Sequence, residues 1–308
     1  MGQRATSYLP KHNHLANTIP LPNRPISRYH GGKFAIAPWV AGLMPTHECY
    51  VEPFGGMASV LLKKPQSNTE VYNDLDHDVV TLFEVLRDPR TADALAAQLR
   101  ATPFARAEYE AAFEPSDIDV ERARRFLIRS AMGVGSDSAT RVARSGFRNK
   151  RTTDGHFDIS PARDFANLES FLPAFHDRLR SVIIECRAAS EVIASFDSEY
   201  TLIYADPPYL PETQNRGARA EGPTRHGYRD IFDREHHEAL LSQLLECKSM
   251  VMLSGYPSAL YTERLKGWTR FDRSSHALGG GERTECVWMN PHCAARHQAS
   301  RQQESLFD

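Results

Sequence analysis

The sequence predicts an α/β protein, with a sheet covered by helices on both faces and a mainly helical insert. Short runs of β-branched and aliphatic residues alternate along the chain with helical patterns, as in sheets whose strands are joined by crossover helices. From about residue 88 to residue 180 this alternation stops and helical patterns follow one another. The first observation predicts the sheet, and the second predicts the insert.

The predicted elements follow in chain order. The predicted strands are residues 49–52, 70–73, 182–186, 201–205 and 250–254. The predicted helices are residues 33–43, 58–62, 76–86, 91–100, 104–113, 121–132 and 234–247. We expect a core domain made of residues 25–88 and 181–292, interrupted by an insert at 89–180 that forms its own subdomain. Residues 1–24 and 293–308 are polar and without an apolar period, so flexible tails are expected there.

Composition narrows the class of protein. The 308 residues are 41% hydrophobic and 25% charged, which is ordinary for a folded globular chain and excludes disordered and membrane-spanning classes. The five cysteines are scattered and form no C-x-x-C pair, which favours a reducing cytoplasm over a disulfide framework or a zinc site. A net charge of −2 argues against a uniformly basic nucleic-acid binder but leaves room for a local basic patch.

The sharpest local feature is the tetrapeptide Asp206-Pro207-Pro208-Tyr209, which directly follows the predicted strand at 201–205. A buried strand would deliver the acid to its carboxyl end, where open α/β sheets bind ligands. The two prolines stiffen the backbone and offer no N–H to the oxygens of the acid. The carboxylate and a neighbouring backbone carbonyl can then both accept hydrogen bonds from one –NH₂ group, while the tyrosine stacks on the ring that bears it.

This arrangement suits methyl transfer to the exocyclic amine of a nucleobase. The lone pair of such an amine is delocalised into the ring, so the amine is a poor nucleophile. Two acceptors on its hydrogens would localise the lone pair and aim it at a methyl donor without a covalent intermediate. The alternative is an ordinary proline turn that happens to begin with aspartate.

A second feature predicts a nucleoside pocket. The segment Val51-Glu52-Pro53-Phe54-Gly55-Gly56 runs from a strand into a glycine turn, and Asn73-Asp74 ends the next predicted strand. Such a turn lets a ligand approach the backbone, and an acid about twenty residues later can accept from ribose hydroxyls. The phosphate-binding patterns G-x-G-x-x-G and G-x-x-x-x-G-K-[ST] do not occur. S-adenosylmethionine, a donor without phosphates, therefore fits best, and another nucleotide is the alternative.

A third segment, Tyr29-His30-Gly31-Gly32-Lys33, could hold either a phosphate or the amino-acid carboxylate of such a donor. In this order the three segments resemble the Dam-like class of DNA adenine N6-methyltransferases, a class with many phage-encoded members. Further matches lie at Ser254-Gly255-Tyr256 and over residues 284–290. The resemblance spans residues 25–291. It implies a Rossmann-like, S-adenosylmethionine-dependent methyltransferase sheet in which residues 89–180 are an inserted target-recognition subdomain.

The resemblance implies a role for each matched donor-site residue. Tyr29 and Lys33 would line the methionine end of the donor, Phe54 and Gly55 would lie under it, and Asp74 would hold the ribose. The implied donor-binding set is completed by Glu52, Pro53, Gly56 and Asp206. The chain departs from the family glycine pattern F-x-G-x-G, because Ala58 stands where that pattern has its last glycine.

The same resemblance makes the tetrapeptide the catalytic segment. Asp206 and the carbonyl of Pro207 would accept from the adenine amine, with Pro208 completing the rigid turn. Tyr209 would stack on the base. Because a duplex hides that amine, the target adenine would have to be flipped out of the helix. The long polar segment at 210–229, with Arg216, Arg219, Arg225 and Arg229, is predicted to be an active-site loop that becomes ordered on DNA binding.

A basic stretch in the insert is the candidate DNA-binding region. Residues 122–151 contain nine basic residues and one acid, Asp137, for a net charge of +8. Such a stretch suits phosphate contacts, and its glycine- and serine-rich part at 133–146 suits a loop that enters a groove. The candidate DNA-binding residues are Arg122, Arg125, Arg129, Arg141, Arg144, Arg148, Lys150 and Arg151. The alternative is a solvated helix face.

Other functions stay open beside DNA adenine methylation. An N4-cytosine DNA methyltransferase would use the same chemistry on a similar amine, and an RNA base or a glutamine amide is a more distant substrate. A non-catalytic DNA-binding protein that keeps the fold is the alternative of a different class. The presence of Lys33, Asp74 and Asp206 argues against it.

The last residues predict a second partner beside double-stranded DNA. Gln303-Glu304-Ser305-Leu306-Phe307 resembles Q-L-[S/D]-L-F, the motif by which bacterial DNA enzymes bind the replication sliding clamp. An extended peptide could insert Leu306 and Phe307 into an apolar pocket while Gln303 makes polar contacts. Glu304 departs from the leucine of that motif. The expected location is the cytoplasm of a bacterial or phage-infected cell.

Overall fold

The computed structural model describes residues 21–29, 31–135, 138–140, 144–148, 161–210, 213, 232–276 and 282–304. Within them a seven-stranded sheet has the order β3-β2-β1-β4-β5-β7-β6. Its strands are β1 (Cys49–Glu52), β2 (Thr69–Asn73), β3 (Ile183–Glu185), β4 (Thr201–Ala205), β5 (Met250–Gly255), β6 (Thr269–His276) and β7 (Glu282–Met289). The first five strands are parallel, and β7 runs antiparallel to both β5 and β6.

All five predicted strands are confirmed, with bounds that differ by at most one residue. The sequence patterns predict neither β6 nor β7. The first of these is an edge strand that mixes Arg270, Asp272 and Arg273 with a single large apolar residue, Phe271, so it lacks the apolar alternation of a half-buried strand. Its backbone pairs only with β7, and this pairing rather than local composition makes both segments strands.

The helices of the described residues surround this sheet. They are α1 (Ala37–Gly42), α2 (His77–Arg87), α3 (Pro89–Ala101), α4 (Arg106–Ala111), α5 (Asp119–Met132), α6 (Pro161–Ala166), α7 (Leu172–Leu179), α8 (Ala189–Phe196), α9 (Arg234–Glu246), α10 (Ala259–Arg264) and α11 (Pro291–Glu304). The predicted start of α9 is confirmed, because the side chain of Asp233 accepts a hydrogen bond from the backbone N–H of His236.

Two helices predicted next to the candidate donor-binding segments are wrong: one is shorter than predicted, and the other does not form. The helix predicted at 33–43 is reduced to α1, six residues long, which begins beside a proline at its first turn. The helix predicted at 58–62 does not form, and residues 56–64 make a series of turns. Ala58 has a φ of +50°, in the left-handed region, where an α-helix cannot begin.

The flexible C-terminal tail predicted from residue 293 is also wrong through Glu304, because α11 occupies Pro291–Glu304. The side-chain oxygen of Asn290 caps this helix by accepting from the backbone N–H of Cys293 at 2.8 Å. Cys293 and His297 are buried, and the His297 ring lies 5.6 Å from that of Phe271. The buried face of α11 consists of Cys293, Ala294 and His297, and these residue types do not form a clear apolar pattern in the sequence.

Helices cover both faces of the sheet, as predicted. Successive strand residues point to opposite faces, so Tyr50, Leu202 and Met252 join one apolar cluster and Val51, Ile203 and Leu253 join the other. The first cluster continues into α1, α2, α3, α5 and α7, and the second into α8, α9 and α10.

The insert does not have a separate core. Phe126 and Leu127 of α5 and Phe175 of α7 belong to the same buried cluster as the sheet residues. The end of the insert is tied to the sheet by charge as well, because Glu70 of β2 accepts from Arg178 at 2.5 Å and from Lys64 at 2.6 Å. All three side chains are buried. The helices of the insert are therefore a continuation of one face of the core domain.

Candidate active site

The glycine motif and the tetrapeptide meet at the point where the strand order reverses. The chain moves outward from β1 through β2 to β3 on one side, and from β4 to β5 on the other. Because β1 and β4 are adjacent parallel strands, Glu52 and Ala205 end at the same edge of the sheet. Open α/β sheets bind their ligands in the crevice at this position.

Asp206 has one oxygen held and one oxygen without a hydrogen bond of good geometry. Its Oδ2 lies 2.9 Å from Nζ of Lys33, whose side chain is 8% exposed. Its Oδ1 is buried and has no hydrogen bond of good geometry in the described structure, although the nearby Tyr209 hydroxyl also lowers the pKa of Asp206. Burial raises the pKa of Asp206, and the charge of Lys33 opposes that rise. A buried acceptor without a donor is costly, so Oδ1 marks the place where a donor from a ligand is expected.

Tyr209 belongs to a small aromatic cluster beside this acid. Nζ of Lys33 lies 4.6 Å from the centre of its ring, and the ring of Tyr256 lies 4.4 Å away at an angle of 52°. Burial raises the pKa of Tyr209 well above its ordinary value of 10. Its hydroxyl therefore acts as a hydrogen-bond donor, and it donates to Oε2 of Glu285 at 3.2 Å.

The turn after β1 packs against the acid after β2. The backbone N–H of Gly56 donates to Oδ2 of Asp74 at 2.7 Å, and Tyr72 donates its hydroxyl to the carbonyl of Gly56 at 2.8 Å. Gly56 has a φ of +47°. A Cβ on Gly55 would lie 2.1 Å from the Tyr72 ring, so no side chain fits there. The two glycines are thus required by the way the turn folds onto β2.

Several implied donor residues have partners that the sequence does not reveal. Lys33 is paired with Asp206, and Asp74 is 1% exposed with its oxygens accepting from Gly56 and Asp76. Glu52 is buried and accepts from the Tyr50 hydroxyl and the Leu61 N–H. Burial raises its pKa to about 8. Asp74 and Glu52 therefore accept hydrogen bonds from backbone N–H groups of the segment that follows β1.

Other members of the set border the same turn. A Cβ on Gly56 would lie 3.1 Å from the ring of Tyr29, so that ring borders the turn. The carbonyl of Pro53 accepts from Asn73, and Phe54 packs its ring edge to face against Phe232 at 5.5 Å. Sequence reasoning treats Tyr256 and Glu285 only as matching positions, and nothing in their spacing indicates that they meet Tyr209.

Three of the candidate DNA-binding arginines are engaged inside the chain. Arg122 and Arg129 both pair with Asp78, at 3.2 and 2.8 Å, and Arg125 pairs with Glu121 at 2.6 Å. The net charge of the basic stretch omits these acids because they lie outside its window. These ion pairs make Arg122, Arg125 and Arg129 weaker candidates for DNA contact than an arginine with an exposed guanidinium.

Arg144 keeps an accessible guanidinium. Its side chain is 53% exposed and lies 3.7 Å from Glu114. Arg148 is half-buried near the end of the loop that follows α5. The remaining candidates lie outside the described residues, namely His30, Arg141, Lys150, Arg151, Arg216, Arg219, Arg225, Arg229, Leu306 and Phe307.

The sheet order and the site at its switch point define a Rossmann-like α/β methyltransferase. The model of the D12 class N6 adenine-specific DNA methyltransferase family matches residues 29–270, and the chain belongs to that family. It is therefore an enzyme of DNA adenine methylation that uses a methyl donor.

Relatives of known function agree with this membership. The DNA adenine methylase of Escherichia coli strain K12 is 23% identical over 249 residues, covering 78% of this chain and 84% of that protein. The DNA adenine methylase of Salmonella typhi is 24% identical over 252 residues with the same coverage. A crystal structure described as a candidate RNA methyltransferase of Pyrococcus horikoshii covers 88% of this chain at 9% identity. Its TM-score against this chain is 0.32.

Among the described residues, no helix combines the length and the apolar character needed to cross a membrane.

Proposed function

We propose that this enzyme transfers a methyl group from S-adenosylmethionine to the N6 amine of an adenine flipped out of double-stranded DNA. The observation that carries the proposal is the buried Oδ1 of Asp206, an acceptor without a donor at the switch point of the sheet. An amine that donates to this oxygen would satisfy it, and the amine would then be held beside the donor turn.

Asp206, Pro207 and Tyr209 of the tetrapeptide, together with Lys33, each have one task in this proposal. Oδ1 of Asp206 and the carbonyl of Pro207 accept the two hydrogens of the amine, which localises its lone pair. Lys33 holds the other carboxylate oxygen, so Asp206 keeps one orientation, and the charge of Lys33 opposes the rise that burial causes in the pKa of Asp206. Tyr209 stacks on the base, and S-adenosylmethionine supplies the electrophilic methyl group when bound.

The turn after β1 fits a donor that lacks phosphates. Phosphate sites in α/β proteins use the N-terminus of a helix, whereas residues 53–64 here form turns and no helix. Phe54 and Gly56 in this turn are partly exposed, the ring of Tyr29 borders Gly56, and Asp74 accepts from the backbone N–H of Gly56. We assign Tyr29, Phe54 and the two glycines to the donor and Asp74 to holding the shape of its pocket.

The proposal is tested by replacing Asp206 with Asn, which keeps the volume, and with Ala. Transfer of tritiated methyl to unmethylated DNA should fall about 10²-fold or more in kcat, because a charged acceptor at the reacting group is lost. Calorimetry should show nearly unchanged donor affinity. Normal turnover by both variants would overturn the role of Asp206.

The labelled nucleoside separates the alternatives in the same experiment. Label in 6-methyladenine supports the proposal, and label in 4-methylcytosine would assign the enzyme to the N4-cytosine reaction. If the unaltered enzyme put no label into DNA under any condition, the proposed function would fail altogether.

The loop after α5 is the proposed DNA-reading element. Its base is closed by an antiparallel bridge between Gly133 and Phe147, with Val134 donating to the Gly146 carbonyl at 2.9 Å. Tyr109 fastens it further by donating to the Ser145 carbonyl at 2.7 Å. A loop fixed at its base can project into a groove, and the exposed Arg144 would contact phosphate there.

Matched arginine variants test this loop. Arg144→Ala should lower the log–log slope of DNA affinity against salt by about 0.9, the value for one lost phosphate contact on B-DNA. Arg122→Ala is the control, because Arg122 is paired with Asp78 and Asp119 and its loss should leave the slope unchanged. Equal slopes for all three proteins would contradict the proposal.

The clamp interaction remains a proposal for the chain terminus. Gln303 lies exposed in the last turn of α11, so binding as an extended peptide requires that turn to unwind. Tethering to the clamp would raise the local enzyme concentration on newly replicated DNA in the bacterial cytoplasm. A peptide of residues 299–308 should bind the clamp, and the same peptide with Leu306→Ala and Phe307→Ala should not. Equal binding by the two peptides would dismiss the idea.

A further inference from the structure

One carboxylate joins two tyrosines at the active site. Tyr209 donates its hydroxyl to Oε2 of Glu285 at 3.2 Å, and Tyr256 donates to Oε1 of the same side chain at 3.1 Å. The two rings lie 4.4 Å apart. A carboxylate has two oxygens at a fixed separation, so it can hold two phenols in one mutual orientation, which a single-acceptor side chain cannot do.

The fold explains why these three residues meet. Tyr209 follows β4 and Tyr256 follows β5, so both lie in loops at the carboxyl edge of the sheet. Because β7 runs antiparallel to β5 with Gly255 opposite Cys286, Glu285 reaches the same edge next to Tyr256. The contact thus fastens two active-site loops, whose backbones lie outside the strands, to a residue inside a strand.

The position of Glu285 carries an electrostatic cost that a residue with only a structural role would not need. It adds a second carboxylate near Asp206, and its charge raises the pKa of that acid. A hydroxyl or amide could satisfy a tyrosine hydroxyl without this cost. Like-charge placements of this kind concentrate at functional sites, where geometry outweighs local stability.

We infer that Glu285 is a positioning residue that orients Tyr209, backed by Tyr256, as the surface on which the target base stacks. The inference rests on the proposed function. The distance of 4.4 Å between the rings leaves no room for a base between them, since an inserted base needs about twice a stacking distance. The base therefore lies on the part of Tyr209 that neither Tyr256 nor Nζ of Lys33 covers, and Glu285 acts on the base only through the tyrosines.

The central experiment compares Glu285→Ala with Glu285→Gln. Glu285→Ala should lower kcat about tenfold, at the lower end of what the loss of one aromatic stacking partner brings. Its donor affinity should be unchanged, and its DNA affinity nearly so, because phosphate contacts dominate binding to DNA. Glu285→Gln keeps one acceptor and so can hold only one of the two donating phenols, which should restore kcat only in part, to a value between those of Glu285→Ala and the unaltered enzyme. The surface variant Glu238→Gln controls for the loss of a carboxylate elsewhere, since Glu238 pairs with Arg234 on α9.

A double-mutant cycle tests whether Glu285 acts through Tyr209. Tyr209→Phe keeps the ring and removes the hydroxyl, so its loss of kcat should equal most of the loss in Glu285→Ala. The double variant should then be no worse than the worse single variant. Tyr256→Phe, which removes one of the two hydroxyls, should cause a smaller loss and remains informative if Glu285→Ala fails to fold.

The outcomes separate this inference from the proposed function. An unaltered enzyme that makes no 6-methyladenine would defeat the proposed function. An active enzyme whose folded Glu285→Ala variant keeps its full kcat would defeat the positioning role alone. Losses that multiply in the double variant would also overturn that role, because they would show that Glu285 acts independently of Tyr209.

Discussion

At the scale of single residues, Ala58 shows how the chain replaces a glycine of its family. It has a φ of +50°, the one positive φ among the described non-glycine residues, and it is fully buried. An L-residue in this region pays about 1–2 kcal/mol for the contact of its Cβ with the backbone. The alanine methyl packs in the core and offsets part of this cost, because one buried methyl contributes about 0.8 kcal/mol.

These magnitudes predict that Ala58→Gly is nearly neutral. Relief of backbone strain opposes the lost methyl and the greater freedom of the unfolded glycine chain, about 0.4–1 kcal/mol. The free energy of unfolding, measured in urea, should therefore stay within about 1 kcal/mol of the parent value. Ala123→Gly is the matched control, since Ala123 is equally buried but lies in the middle of α5. It should lose about 1.5–2 kcal/mol, because no strain is relieved and a helix residue is replaced by glycine. An equal loss in both variants would contradict the strain at Ala58.

At the scale of elements, Arg28 joins the first described segment to the end of α5. Its guanidinium donates to the carbonyls of Ser130 and Ala131 in the last turn and to that of Gly133 at 2.7 Å. A cation is favoured at this end of a helix, where carbonyls lack partners. The residue after Arg28 is Tyr29, which we propose borders the donor, and Gly133 begins the proposed DNA-reading loop. One side chain therefore connects both sites.

Loss of this connection should be visible in both stability and donor binding. Arg28→Ala leaves several carbonyls without a charged donor, so the free energy of unfolding should fall by about 1.5–3 kcal/mol. Calorimetry should also show weaker donor binding, because Tyr29 loses its anchor. The control is Arg24→Ala, which removes the contact of Arg24 with the Phe171 ring and leaves the contacts of Arg28 with α5 in place. Donor affinity that stays unchanged in Arg28→Ala would show that α5 does not position Tyr29.

At the scale of the whole molecule, the sheet carries a buried acid whose protonation couples folding to pH. Burial raises the pKa of Glu52 from 4.5 to about 8, so the folded protein holds this proton more tightly than the unfolded chain does. The contribution of Glu52 to the stability of the folded protein is therefore most favourable below pH 4.5. It is lost as pH rises through the window from 4.5 to 8, at up to about 1.4 kcal/mol per pH unit.

Replacing this acid should flatten the dependence of stability on pH. Glu52→Gln keeps a side-chain acceptor for Tyr50 and Leu61 without an ionisable group. Between pH 5 and pH 8 its free energy of unfolding should fall less steeply than that of the parent, so the variant gains relative stability as pH rises. Glu48→Gln, at an exposed neighbouring position, should leave the slope unchanged. Parallel curves for the parent and Glu52→Gln would assign the pH dependence to other groups.

The sequence predicted correctly those elements whose own residues form a clear local pattern, and it missed elements that depend on distant partners. The strands Cys49–Glu52 and Thr201–Ala205 are apolar runs bounded by turn residues, and their bounds are confirmed. The pair β6–β7 and the helix α11 depend on partners far along the chain, and the sequence patterns missed them. The helix predicted at 58–62 failed because one backbone angle at Ala58 overrides a helical composition.

The sequence by itself determined the α/β class, the family and the residues proposed to carry the chemistry. These follow from short patterns, such as an acid, two prolines and a tyrosine after an apolar strand. Only the tertiary structure decided which charges remain available. Asp78 neutralises two arginines of the basic stretch, Lys33 occupies one oxygen of Asp206, and Glu285 reaches Tyr209 from β7. The physical reason is that ion pairs and hydrogen bonds act over a few ångströms in space, whatever the separation of their partners along the chain.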